Sequence, residues 1–182
     1  MSTKSLLTIE QFAQMQTQAT DTEDYELVAG ELVPLPSGTY RHNKMRDLIG
    51  HLLWSYFRQH PIGEAVGEND CRIASDEVRR PDLSIFLRER LNQMDPDKIP
   101  APFPPDIAVE VLSPTESAMD VRRKVRDYLR GGSKEVWLLD HLNGEVLVHT
   151  SDGIRILQGG DVLETPVLPG FRVSVADLVM NS

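Results

Sequence analysis

A carboxylate interrupts a stretch of the sequence that otherwise has the pattern of a buried β-strand. The stretch is PDIAVEVLSP, residues 105–114, and Glu110 lies in its middle. A strand buried on both faces is a nearly continuous apolar run, and an ionised carboxylate buried without a partner is costly. Glu110 is therefore expected to be paired, bound to a metal or protonated. The simpler alternatives are a glutamate at a strand end, or one paired with an arginine of a neighbouring helix.

A second carboxylate near Glu110 would make a metal site, and two aspartates that follow proline are candidates, Asp106 and Asp82. Asp106 lies on the same face of the strand, so its Cα atom is about 13 Å from that of Glu110 at about 3.3 Å per residue. Carboxylates that share one Mg²⁺ each place an oxygen about 2.1 Å from the ion, which makes Asp106 a poor partner. Asp82 begins another strand, and neighbouring strands lie only about 4.8 Å apart. If the two strands pair, Asp82 and Glu110 can meet; the alternative is that Asp82 is a turn residue after Pro81.

A lysine in the next helical segment adds a third group. On a helical wheel at about 100° per residue, Lys124 falls in the same arc as Val125 and Tyr128, so it is expected to lean toward the sheet. The alternative is a lysine whose stem packs while its charge reaches water. Two acids can hold a divalent cation, and a lysine can orient or activate an attacking water and stabilise a charged phosphorus centre. Asp82, Glu110 and Lys124 together suit the hydrolysis of a phosphodiester.

Several helices and strands must position these side chains. Helices are predicted from the capping box at Thr8, over residues 40–59, from an N-cap at Asp120 to a C-cap at Gly131–Gly132, and at VADLVM, residues 175–180. Strands are predicted in a hairpin that turns at Ala29–Gly30, in an edge segment at 64–75 and at 81–89. Further strands are predicted at 106–112, at 135–140 and, after a turn at Asn143–Gly144, at 145–150. The unit 106–140 suits a right-handed parallel crossover. The predicted class is α/β or α+β, with helices flanking a mixed sheet.

The composition sets limits on organisation and partners. The 182 residues suffice for one compact domain over 1–182, with residues 1–6 expected to be a flexible N-terminus. Cys71 is the single cysteine, so an internal disulfide and a cysteine-based zinc site are excluded. A net charge of −9 argues against indiscriminate nucleic-acid binding but is compatible with carboxylates that hold Mg²⁺. The chain has neither a secretory signal pattern nor a long apolar run, so a cytoplasmic location without membrane contact is expected.

Several motifs occur in a definite order along the chain: YELVAGELV (25–33), His42, VRRPDLSIF (78–86), PPDIAVEVLSP (104–114), Lys124 with Tyr128 and Gly131, EVWLLD (135–140) and TPVLPGF (165–171). Their order and spacing resemble those of the Uma family of predicted restriction endonucleases, within the PD-(D/E)xK nuclease superfamily. This resemblance implies a restriction-endonuclease-like core and cleavage of DNA with Mg²⁺, or with Mn²⁺ in its place.

The resemblance also assigns roles residue by residue. Asp82 matches the aspartate of the PD element and Glu110 the acid of the next strand, so both are implied metal ligands. The usual lysine of the superfamily would stand at Leu112, and Lys124 from the following helix is the implied replacement. Glu31 matches a glutamate of the family and is a further candidate catalytic residue, although an ordinary hairpin carboxylate is the alternative.

Other polar residues have simpler interpretations. His42 is predicted to point inward from its helix, either as a satisfied histidine or as a site residue. The arginines of the 121–130 segment form a basic face that could touch phosphates or merely face solvent.

Two other functions remain open at this point. One is a non-catalytic binding or regulatory module that retains the nuclease fold, and the other is a hydrolase of another phosphoester, such as RNA. A homodimer is expected if both strands of a duplex are cut, because that is most simply done by two sites.

Overall fold

The computed structural model describes residues 6–18 and 24–179. The helices are α1 (Ile9–Gln18), α2 (Tyr40–Gln59), α3 (Arg88–Leu91), α4 (Ala118–Gly131) and α5 (Val175–Val179). The strands are β1 (Tyr25–Val28), β2 (Glu31–Pro34), β3 (Gly63–Gly67), β4 (Cys71–Ala74), β5 (Glu77–Arg79), β6 (Leu83–Leu87), β7 (Ile107–Val111), β8 (Glu135–Asp140), β9 (Glu145–Thr150), β10 (Gly153–Gln158), β11 (Val162–Thr165) and β12 (Leu168–Ser174).

A six-stranded mixed sheet forms the centre of the protein, in the order β10-β9-β8-β7-β6-β3. Strands β7 and β8 are parallel and joined through α4, and the other neighbouring pairs are antiparallel. The predicted parallel crossover and mixed sheet are therefore confirmed.

Helices pack on both faces of this sheet, and the side chains of β7 alternate between the two faces. Ile107, Val109 and Val111 point into the larger core, which contains the buried face of α2, while Ala108 packs with Val125 of α4. Glu110 lies on the Ala108 side by the same alternation. The sheet thus presents this carboxylate to α4.

A second sheet of four strands, in the order β2-β1-β5-β4, borders the first. Its β1–β2 hairpin turns at Ala29 and Gly30, whose φ angles are 50° and 76°. Two successive positive φ angles are typical of the tight hairpin turn that glycine favours. Helix α1 packs on this sheet through Ile9 and Phe12. At its start, Thr8 Oγ1 accepts the Gln11 N–H and Gln11 Oε1 accepts the Thr8 N–H, which confirms the capping box.

The two edges of the central sheet differ in how they are protected. At β3, the indole N–H of Trp54 donates to the backbone oxygen of Ala65 at 2.8 Å. At β10, both Ile154 and Ile156 are more than half exposed, and no strand of the described residues pairs with the outer side. The Trp54 indole therefore occupies a backbone acceptor within β3, whereas at β10 the Thr150 hydroxyl donates to the oxygen of the first strand residue, Gly153, at 3.3 Å.

Several predicted boundaries need correction. Residues 64–75 form two strands, β3 and β4, which belong to different sheets, and the strand predicted at 81–89 ends at Leu87, where α3 follows. Helix α4 is capped by Ser117 rather than Asp120, because the Ser117 hydroxyl accepts the Asp120 N–H at 3.1 Å.

Other element predictions hold. The helix over 40–59 coincides with α2, and Gly132 ends α4 in the left-handed conformation. Residues 1–5, within the predicted flexible N-terminus, and Met180, at the predicted end of the last helix, lie outside the described residues.

Candidate active site

Asp82 and Glu110 face one another across two paired strands. In the antiparallel ladder between β6 and β7, Leu83 is opposite Val109, which brings the preceding Asp82 opposite Glu110. Oδ2 of Asp82 accepts the backbone N–H of Val111 at 2.7 Å, so this carboxylate is fixed to the end of β7. The two acids predicted to meet are therefore brought together by strand pairing.

Glu110 is buried and held by two donors from α4. Its residue surface is 5% exposed. The Tyr128 hydroxyl donates to Oε1 at 2.7 Å, and the Lys124 ammonium donates to Oε2 at 3.1 Å. Burial raises the pKa of Glu110 to about 7, Lys124 opposes this rise, and the charges of Asp82 and Glu26 add to it. A second cation beside Glu110 would therefore stabilise its ionised form.

Lys124 is shared between two carboxylates. Besides Glu110, its Nζ lies 3.0 Å from Oε1 of Glu116, in the loop between β7 and α4. Burial lowers the pKa of Lys124, but the charges of Glu110, Glu26 and Glu116 outweigh it, so the pKa is raised overall. Lys124 is thus held as an ammonium on the face of α4 that packs on the sheet.

Asp82 has a second partner in α2. Nε2 of His42 lies 3.3 Å from Oδ1 of Asp82, and their side chains are about equally sheltered from solvent. The hydrogen bond to Asp82 raises the pKa of His42, while burial lowers it less strongly. His42 therefore points inward, as predicted, and its partner is the candidate site itself.

An open cavity of about 690 Å³ lies over these residues. Its charged lining is mainly acidic, with Asp24, Glu26, Glu68, Asp82, Glu110, Glu116 and Asp120 against Arg79, Arg80, Arg123 and Lys124. Formally, the acidic groups outnumber the cationic ones. The cavity is therefore a place where a divalent cation would be attracted.

The sequence matches a family of known description over most of its length. The Uma2 family profile, described as "Putative restriction endonuclease", matches residues 9–176. The chain belongs to the Uma2 family. A crystal structure from Anabaena variabilis ATCC 29413, titled as a putative nuclease belonging to DUF820, superposes with a TM-score of 0.83 at 20% identity, covering 96% of this chain and 98% of that chain. At this identity the likeness shows the fold alone. No curated protein matches the chain.

The family assignment and the nuclease fold confirm the predicted resemblance and fold class. In this Uma2 chain, Glu31 does not line the cavity; it is exposed on β2, opposite Val28. The carboxylate of this hairpin that is buried and lines the cavity is that of Glu26 in β1. The motif named Glu31 of this hairpin, but the pairing of β1 with β5 turns Glu26 rather than Glu31 inward.

The basic face of α4 is exposed, as the wheel predicted for Arg122, Arg123, Arg126 and Arg130. Arg123 alone among these four arginines also lines the cavity. Glu116 was not found from the sequence, because loop residues carry no periodicity that would place them.

The donor chemistry around Asp82 and Glu110 fits a hard divalent cation. Mg²⁺ is usually bound by one or two carboxylates and keeps several waters. Each carboxylate here accepts hydrogen bonds, but a carboxylate has about four lone-pair sites, so acceptor capacity remains. Within residues 6–18 and 24–179, no cluster of three or more histidine, cysteine or acidic side chains could enclose a metal. The fitting set is therefore a pair of carboxylates, Asp82 and Glu110.

The described helices offer no membrane span. None of those within residues 6–18 and 24–179 combines the length and apolar character that crossing a bilayer requires.

Proposed function

We propose that this Uma2 protein is a metal-dependent endonuclease that hydrolyses phosphodiester bonds of DNA. The observation that carries the proposal is that strand pairing brings Asp82 opposite Glu110 in the lining of an open cavity, with the Lys124 ammonium 3.1 Å from Glu110. Membership of a family described as restriction endonucleases and the nuclease-like fold support the same reaction class.

The proposal assigns the holding of Mg²⁺ to Asp82 and Glu110. When bound there, the ion would supply charge stabilisation and a more acidic water. Asp82 is kept in place by the Val111 N–H and His42, and Glu110 by Tyr128 and Lys124. These contacts would hold the carboxylates in position before substrate arrives.

Lys124 is assigned to the reacting phosphate. In hydrolysis the oxygen of a water forms a bond to phosphorus as the water loses a proton, an ester P–O bond breaks, and the leaving oxygen gains a proton. A fixed ammonium beside the site would orient the water and stabilise the negative charge that builds on the phosphate oxygens. The raised pKa of Lys124 supports this electrostatic role, since the side chain remains charged.

The charge of the cavity supports metal dependence. Acidic side chains outnumber cationic ones in the lining, so a phosphodiester entering alone would be repelled. A divalent cation between the acids and the phosphate would offset that repulsion.

The experiment is cleavage of supercoiled plasmid DNA by purified protein with Mg²⁺, Mn²⁺ or no divalent ion. We expect nicked and linear products with either ion, and loss of cleavage in Glu110→Gln and Asp82→Asn. Asp106→Asn, at the other end of β7, is the matched control and should still cut. A panel of duplex DNA, single-stranded DNA and RNA identifies the preferred substrate, and preference for RNA would reassign the substrate class.

Two outcomes would overturn the proposal. One is cleavage of equal rate in wild type and Glu110→Gln, which would show that a contaminant or another site acts. The other is a folded wild type that cuts none of the nucleic acids and binds no Mg²⁺ or Mn²⁺ by calorimetry at millimolar concentration. That result would favour a non-catalytic module with the nuclease fold.

A homodimer is part of the same proposal, because two sites are the simplest way to cut both strands of a duplex. Light scattering coupled to size-exclusion chromatography measures the mass directly. A monomer that nevertheless makes double-strand breaks in one encounter would remove this element of the proposal.

A further inference from the structure

A second charged cluster borders the candidate site and is centred on Arg79 at the end of β5; Arg79 and Glu26 also line the cavity. This arginine is 4% exposed. Its guanidinium contacts Glu26 of β1 at 2.9 Å, Glu77 of its own strand at 2.9 Å and Asp127 of α4 at 2.6 Å. One cation therefore joins three carboxylates from three elements.

The cluster fixes the same helix that supplies the lysine of the candidate active site. Asp127 is buried and stands on α4 three residues after Lys124 and one residue before Tyr128. Arg79 holds Asp127, while Glu110 receives Lys124 and Tyr128. Because successive residues are separated by about 100° around a helix, the Arg79 contact and the Glu110 contacts reach α4 from different directions. Together they fix its rotation about its own axis.

The chemistry of the guanidinium suits this task better than that of an ammonium would. Its planar fork offers several donors in fixed directions, so it can meet carboxylates of different elements at once. Arg79 uses Nη1 for Glu26 and Nη2 for Asp127, and its Nε donates to Glu77. A lysine at this position would keep the charge but could not reproduce the three directions.

We propose that Arg79 is a positioning residue for the reaction, acting through Asp127 to hold α4 at the rotation that places Lys124 and Tyr128 against Glu110. Its catalytic consequence rests on the proposed nuclease function. Arg79 itself does not contact the reacting phosphate in this proposal; it fixes the helix that does.

The first experiment compares Arg79→Lys and Asp127→Asn with wild type in DNA cleavage with Mg²⁺. We expect kcat to fall by about tenfold or more, because small misplacements of catalytic groups cost up to about 100-fold, while KM changes little. Arg126→Lys is the matched control: Arg126 also contacts Asp127, at 3.3 Å, but it is exposed. Unchanged kcat in both test variants, with folding confirmed by circular dichroism, would overturn the proposal.

A double variant separates positioning from a general loss of structure. If Arg79 acts through Lys124, then Arg79→Lys should cause little further loss in a Lys124→Met background. If Arg79 merely stabilises the fold, the two losses should multiply, and the positioning role would be refuted. Asp127→Asn in the same background provides the equivalent comparison should Arg79→Lys fold poorly.

A measurement without DNA keeps this inference separate from the proposed function. Acetylation of Lys124 by an N-hydroxysuccinimide ester, followed by mass spectrometry, reports whether the ammonium remains between Glu110 and Glu116. We expect faster labelling in Arg79→Lys and Asp127→Asn and unchanged labelling in Arg126→Lys. If Lys124 is labelled faster in the two test variants but neither they nor the wild type cut DNA, the positioning role stands and the nuclease proposal falls. If wild type cuts DNA and labelling does not respond, positioning falls.

Discussion

Two acidic residues at opposite ends of β7, Asp106 and Glu110, have opposite surroundings. Asp106, just before β7, accepts the Leu87 N–H at 2.8 Å and lies 3.1 Å from Lys134 and 3.6 Å from Arg90. Glu110, near the other end of β7, has one cation, and it shares that cation with a further acid. Both are almost completely buried, at 2% and 5% exposure.

The difference lies in charge balance and access. Around Asp106 the cations outnumber the acid, and this carboxylate does not line the cavity of the candidate site. Around Glu110 the acids outnumber the cation, and the cavity opens beside it. A buried carboxylate with its charge already offset is a structural element, whereas one with its charge only partly offset can accept a further cation. On this criterion Asp106 has a structural role, and Glu110 is the carboxylate that we expect to accept a cation.

Replacing Glu110 with glutamine should have the largest effect on activity. We expect cleavage with Mg²⁺ to fall by at least about 1000-fold, because metal-borne charge stabilisation is worth several kcal/mol and each 1.4 kcal/mol is about tenfold in rate. Initial rates of plasmid nicking measure the effect, with metal affinity followed by calorimetry. A Glu110→Gln variant that retains both Mg²⁺ binding and cleavage would contradict the functional difference expected between Glu110 and Asp106.

Replacing Lys124 with methionine should come next. Removing a preorganised charged donor costs about 100-fold to 1000-fold in kcat, so a loss of about 100-fold is expected. Lys134→Met is the matched control, since it removes the lysine that pairs with Asp106. Equal losses in the two lysine variants, measured as kcat on the same plasmid, would show that the two ends are not functionally different.

Replacing Tyr128 with phenylalanine should have a smaller effect. The change removes the donor to Glu110 Oε1, and hydrogen bonds to charged groups contribute about 1.5–3 kcal/mol, so a loss of about tenfold in kcat is expected. Tyr56→Phe is the control, because that hydroxyl donates to the Pro169 oxygen instead. A Tyr128 variant that cuts as fast as the Tyr56 variant would remove Tyr128 from the site.

Replacing Asp106 with asparagine should change activity least. We expect cleavage within about threefold of wild type but a loss of about 1–3 kcal/mol in the free energy of unfolding, because charged hydrogen-bonded groups around it lose their partner. Urea unfolding measures the stability, and plasmid nicking measures the rate. A loss of activity as large as that of Glu110→Gln in a stably folded variant would contradict the structural role given to Asp106.

The sequence predicted those parts of the site that depend on local periodicity. Alternation along β7 gave the direction of Glu110, and the helical wheel gave the direction of Lys124. Strand spacing then favoured Asp82 over Asp106, and the pairing of β6 with β7 confirmed this placement. The catalytic and metal-binding roles of these residues remain predictions.

The missed residues depend on contacts between distant parts of the chain. Glu26 and Arg79 meet because β1 pairs with β5, at Leu27 and Val78, across about fifty residues of sequence. Glu116 lies in a loop, where no period constrains direction. The cap of α4 was misassigned because serine and aspartate are both good N-caps, and the position of Ser117 relative to the first turn decides between them.

The unequal edges of the central sheet bear on how this protein can associate. Addition of a foreign strand at β3 would compete with the Trp54 indole for a backbone acceptor inside that strand, whereas the side-chain contacts to the β10 backbone lie at its two ends, at Gly153 and Gln158. A sheet that can be extended at both edges supports growth into a filament, but one that accepts a strand at a single edge closes after one addition. Trp54 therefore disfavours strand addition at β3, and we expect any sheet-to-sheet association of this chain to use the β10 edge.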